Sequence, residues 1–223
     1  MKTVMLVIAM TIMLAACPVM AESVGVNWTD QYRWHGFKVF DSGYIHTGIT
    51  TEIQGIDVGA VSHLGDNEQD VKYWDTILGY AVPVGEFNVR AGYSYLIFPG
   101  QDVQEMSATV SLPGDIAPRY TIAHVELDDG DSGQLHIFGI DMSIGDPEAV
   151  SANLMAEITF NNRVNPFGPA VKDWTHLTTG LAVIIPIGTM TVSPAVFYQH
   201  TMEPAINDTI DEGFFAVNIT KKF

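Results

Sequence analysis

The chain has 223 residues with 26 acidic against 10 basic side chains, a formal net charge of −16. That balance excludes nucleic acid as a partner, because phosphate recognition needs clustered Lys and Arg. Hydrophobic residues still make up 47% of the sequence and the single cysteine is Cys17, so disulfides and Cys-based zinc sites play no part beyond the N-terminal region.

In chain order, the first element is a leader. Lys2 precedes an apolar run from Val4 to Ala16, which is shorter than the roughly 20 residues a membrane-spanning helix needs and has the layout of a secretory signal peptide. Val19 and Ala21 occupy small-residue positions that place cleavage after Ala21, leaving residues 22–223 as one domain without a Pro/Ser-rich linker. A second reading takes Leu14-Ala15-Ala16-Cys17 as a lipobox, with Cys17 as a lipid-modified N-terminus. An integral barrel would not need that anchor.

The mature part alternates with period two. From 150 to 161, Ala152, Leu154, Ala156, Ile158 and Phe160 share one face, and Asn153, Glu157, Thr159 and Asn161 the other. A helix would scramble this separation. Segments bounded by turn signals fall at 24–35, 43–53, 55–63, 71–82, 86–97, 103–112, 119–127, 134–144, 150–161, 174–186, 189–200 and 213–223. Their length suits tilted membrane strands, and tight connectors at Gln54-Gly55, Pro83 to Gly85 and Gly188 alternate with long ones such as Asn162 to Asp173. The pattern predicts an all-β, antiparallel, up-and-down transmembrane β-barrel of about twelve strands. The intermediate turns at Pro113 to Pro118 and Gly145 to Ala149 leave ten open.

The last strand carries the most specific local signal. Phe223, Ile219, Val217 and Phe215 alternate with polar positions and resemble the terminal strand that the barrel-assembly machinery reads, although Lys221 interrupts the face. Aromatic clusters at Trp28 to Phe40, Tyr73 to Tyr80 and near Trp174 fit interfacial girdles in a barrel, or core in a soluble protein.

Thr29-Asp30-Gln31-Tyr32-Arg33-Trp34-His35-Gly36, Tyr73-Trp74-Asp75 and Ala117-Pro118-Arg119-Tyr120 resemble segments of bacterial outer-membrane barrel proteins of unassigned, porin-like function that carry a first-strand TDYxxRG motif. The motif's spacing is shifted here. The resemblance implies a barrel in the outer membrane, bound by its lipid, and brings no substrate or catalytic residue.

With the apolar face outward, the lumen receives Arg33, Glu52, Asp75, Arg90, Glu105, His124, Glu126, Asp141, Glu157 and His176, together with Gln31, Asp57 and Asn218. Such an interior either conducts through charged rings or closes by ion pairing. Acidic loops at Asp66 to Asp70, Asp128 to Asp131 and Asn207 to Glu212 offer oxygen ligands to divalent cations, but none matches an EF-hand. No hydrolase elbow, zincin helix or phosphate loop is present and the seven histidines are scattered. The sequence therefore reads as non-catalytic, without cofactor or metal. It is either a small passive channel or surface barrel in the outer membrane that admits small solutes, or a periplasmic or lipid-anchored soluble β-barrel that binds a small ligand. The direction of the apolar face separates the two.

Overall fold

The computed structural model describes residues 23–40, 43–53, 56–65, 73–98, 101–146, 148–165, 170–206 and 211–223. The expected leader, Cys17 and the acidic stretch Asp66 to Asp70 lie outside them. The strands are β1 Ser23–Thr29, β2 Tyr32–Trp34, β3 Phe37–Phe40, β4 Tyr44–Ile53, β5 Ile56–Gly65, β6 Tyr73–Val84, β7 Phe87–Phe98, β8 Gln101–Ser111, β9 Ile116–Leu127, β10 Ser132–Ile144, β11 Ser151–Asn162, β12 Lys172–Ile187, β13 Met190–Thr201 and β14 Asp211–Lys222.

All of these except β2 and β3 form one closed antiparallel barrel of twelve strands. Each strand pairs with its neighbours in the chain, and β1 closes the ring on β14, with Gly25 opposite Thr220 and Trp28 opposite Val217. Closure leaves no sheet edge and satisfies the backbone within the wall, which a lipid environment demands. The strand order and the count of twelve are those expected from the alternation.

The expected single strand over 24–35 does not form. Pairing stops at Asp30, whose N–H donates to the Phe215 carbonyl at 3.1 Å and whose Oδ1 accepts from the Phe215 N–H at 2.8 Å. The Thr29 hydroxyl donates to the Gln31 carbonyl at 2.6 Å and bends the chain off the wall. Beyond this bend the chain forms a separate two-stranded sheet, β2 with β3, turned at His35 and Gly36, both with positive φ (46° and 86°). A pair of left-handed residues is the geometry of a tight hairpin turn.

The pleat sends apolar side chains outward: Leu78, Val82, Phe138, Leu154, Leu181 and Val196 are exposed on the outer face. Polar Thr159, Asn161, Thr178 and Gln199 are buried on the inner one. Tyr120, Phe138 and Trp174 form an outer aromatic chain, with centroids 4.9 Å and 6.0 Å apart, in keeping with an interfacial girdle. This outward apolar face is that of a transmembrane barrel.

The alternation reverses its polarity near the loop end of β9 and β10. There Ala123, Val125, Leu127, Leu135 and Ile137 point inward and are buried, while His124, Glu126 and Gln134 take the outer face. Strands of 12 to 13 residues outrun the 9 to 11 that cross a bilayer, so their ends stand above the hydrocarbon, where a polar exterior costs nothing.

Candidate functional site: a lumen narrowed by an inserted hairpin

The β2–β3 hairpin folds into the loop end of the barrel. Trp34 and Phe37 stack at 5.7 Å and bury themselves against the apolar inner patch formed by Leu96, Val103, Ala123, Val125, Leu127 and Leu135. Phe37 is fully buried. The inverted alternation of β9 and β10 thus creates a seat for two aromatic rings inside an otherwise polar lumen.

Charged contacts hold the hairpin on both sides. His35 Nε2 lies 2.8 Å from Glu105 Oε2 on β8. Burial opposes protonation of His35, and the Glu105 carboxylate outweighs it through charge and hydrogen bonding, lifting the imidazole above its ordinary value. Across the lumen Glu212 on β14 accepts from Arg33, from Gln31 Nε2 at 2.6 Å and from Lys38 Nζ at 3.4 Å. The Gln199 amide donates to the Gly36 carbonyl at 2.9 Å. Gly36 sits directly on the His176 ring, where no Cβ fits.

Below the hairpin, Arg119 on β9 forks between two carboxylates, with Nε 2.8 Å from Asp141 and Nη2 2.8 Å from Glu157. Its guanidinium lies over Gly139. Arg90 on β7 reaches Asp57 on β5 at 3.1 Å. Phe197 covers Gly180, directly opposite it in register, and stacks on Phe214 at 4.8 Å. The Arg33 guanidinium rests 5.2 Å above the Phe214 ring.

Two cavities remain open in this interior. One of about 310 Å³ lies beneath the hairpin, lined by Asn27, Gln31, His46, Glu157, Thr178 and Gln199 among others. The other, about 270 Å³, extends toward the end where β1 begins and β14 finishes and is lined by Ser23, Thr50, Asn218 and Thr220. They share Asn27 and His46. A stacked pair of polar cavities so lined has room and hydrogen-bonding partners for water.

Most of the expected lumen residues gather here: Arg33, Arg90, Glu105, Asp141, Glu157 and the wholly buried His176. Arg33 arrives on the hairpin and not on a wall strand. Glu52 and Asp75 have backbone positions opposite Asp57 and Val61, and their side chains lie outside the described residues. His124 and Glu126 are corrected to the outer face: on that half of β9 the inner positions belong to Ala123, Val125 and Leu127. Reading β9 with the wrong parity also hid Arg119, which shares the inner face with Thr121. Trp34 and Phe37 belong neither to a girdle nor to a membrane-facing strand.

At the end of the chain, Val217 and Ile219 succeed Phe215 along one face of β14, with Ile219 exposed outside the barrel; Phe223 lies just beyond the strand with Lys221 Nζ 4.6 Å over its ring. Of the acidic loops, Asp128 to Asp131 form the β9–β10 turn, and residues 207–210 lie outside the described residues. Glu212 is drawn into the hairpin contact.

No family model matches the chain, and no curated protein sequence matches it. Solved structures do. The KdgM porin superposes with a TM-score of 0.62 over 90% of this chain and 99% of that one, at 10% identity. The NanC porin gives 0.60 over 90% and 100%, also at 10% identity, and an outer membrane channel from Pseudomonas putida F1 gives 0.53 over 92% and 96%, at 13% identity. The chain shares the closed antiparallel β-barrel fold of these structures.

Proposed function

We propose that the protein is a non-catalytic channel of the bacterial outer membrane that passes small hydrophilic solutes through a lumen constricted by the β2–β3 hairpin. The observation that carries this reading is the pair of neighbouring cavities that share Asn27 and His46 in their walls, one under the hairpin and the other toward the start of β1. With the tight turns on the periplasmic side and the longer loops outside, the hairpin guards the extracellular mouth.

The charges define the solute class. Arg33, Arg90 and Arg119 each meet a carboxylate, so the described lumen offers no uncompensated track for a polyanion. A KdgM porin structure is described as a complex with oligogalacturonate; by contrast, small neutral or cationic solutes suit this interior. The outward apolar face weighs against a soluble periplasmic barrel. The alternation of Phe215, Val217, Ile219 and Phe223 supports recognition by the barrel-assembly machinery, and the acidic β9–β10 turn fits weak attraction of divalent cations from outside.

Reconstitution in planar bilayers tests the reading. Small, discrete conductance steps with a preference for cations are expected from protein that shows a heat-modifiable, folded band. A folded band without conductance, in wild type and in hairpin-deleted protein alike, would sink it.

A further inference from the structure

Beyond narrowing the lumen, the hairpin has the construction of a movable part. Its ladder is closed on itself, in a sheet separate from the barrel. The described contacts that hold it to the wall run through side chains: Trp34 and Phe37 in the apolar seat, His35 on Glu105, Arg33 and Lys38 on Glu212, and the Gln199 amide on Gly36. Its entry point is fixed by a backbone bond from Asp30 to the Phe215 carbonyl and by the Phe215 N–H bonded to the Asp30 carboxylate.

The charges are segregated. The hairpin contributes Arg33, His35 and Lys38, and the wall answers with Glu105 on β8 and Glu212 on β14, on opposite sides of the lumen. A bound element whose backbone belonged to the wall would need no such pairs. We infer that the β2–β3 hairpin is an electrostatically latched gate: it pivots at Asp30, is held shut by Glu105 and Glu212, and in leaving joins the two polar cavities to the extracellular mouth. This rests on the channel reading for its purpose but not for its motion.

The test reads motion and conduction separately. Val103 lies on the inner wall, fully buried beneath the hairpin rings. In the full chain carrying Cys17→Ala and Val103→Cys, a membrane-impermeant maleimide applied from the loop side labels residue 103 only when the hairpin lifts. Adding Glu105→Gln and Glu212→Gln together is expected to raise the labelling rate about tenfold, because each removes one partner from a largely desolvated pair, and to raise open-channel current in parallel. Tyr93→Phe, which breaks a hydrogen bond to Gln104 on the outer face, leaves labelling unchanged and serves as the control. Heat-modifiable mobility verifies that every variant is folded. Labelling that stays at the basal rate in the doubly substituted, folded barrel overturns the gate and makes the hairpin a fixed constriction. Labelling that rises while no variant conducts keeps the moving hairpin and overturns the channel instead.

Discussion

The ring of Phe197 occupies the space that a side chain at Gly180 would need: an added Cβ there would meet the ring edge at 2.5 Å. The two residues face each other across β12 and β13, and the ring's other neighbour, Phe214, fixes its tilt. Gly180→Val therefore overpacks the lumen wall and is expected to destabilise the barrel by about 1–3 kcal/mol. A lowered urea midpoint of the micelle-folded protein, read by gel mobility, checks it. Phe197→Ala, which enlarges the cavity under the hairpin, should instead raise conductance once the gate is open.

The contact of His35 with Glu105 gives the hairpin a pH response. His35 sits on the inserted turn, facing Glu105 of β8, with Glu157 of β11 adding attraction, His176 of β12 beneath Gly36, and Arg33 on its own hairpin. Its pKa is raised above the ordinary 6.5, so the docking energy it supplies is complete below that value. It fades as pH climbs through the raised one. Current should increase as pH climbs from the ordinary imidazole value through the raised one, and His35→Asn should flatten that rise. A wild-type channel indifferent to pH over this interval would show that the pair does not control docking.

Arg119 pairs with Asp141 and Glu157 at once. Arg119→Gln leaves both carboxylates facing the lumen without the guanidinium that pairs with them. The expected result is a zero-current potential displaced toward the cation value in a salt gradient, with folding retained. An unchanged or anion-shifted potential would place this cluster off the conduction path.

Much of the barrel was legible because period-two alternation and turn residues are local signals. The run from Ala152 to Asn161 states its two faces outright, and β11 has them where expected. The hairpin was hidden for a physical reason: Tyr32 to His35 alternate like the end of any strand, and nothing local tells a ring bound for lipid from one bound for the lumen. Only contact with Val103 and Leu135, far away in the chain, makes the difference for Trp34 and Phe37. The same non-local contact explains the parity error that put His124 and Glu126 inside and left Arg119 out. On β9 the apolar residues mark the inside above the membrane and the outside within it.

The apolar seat works alongside the ion pairs in docking the hairpin. Phe37→Ala removes a fully buried ring and is expected to cost about 3–5 kcal/mol of docking stability. Fast labelling at Val103→Cys in that background, at fixed pH, would display it. A rate matching the unsubstituted hairpin would mean that the ion pairs alone suffice.

The Asp30 and Glu212 contacts also impose an order of events. The hairpin belongs to the earliest-synthesised part of the barrel, yet its pivot needs Phe215 and its latch needs Glu212, both on the final strand. An unfinished barrel, with β1 and β14 still apart, has neither. Sealing the pore thus reports that the wall is complete, and a chain stalled during insertion carries its first hairpin undocked.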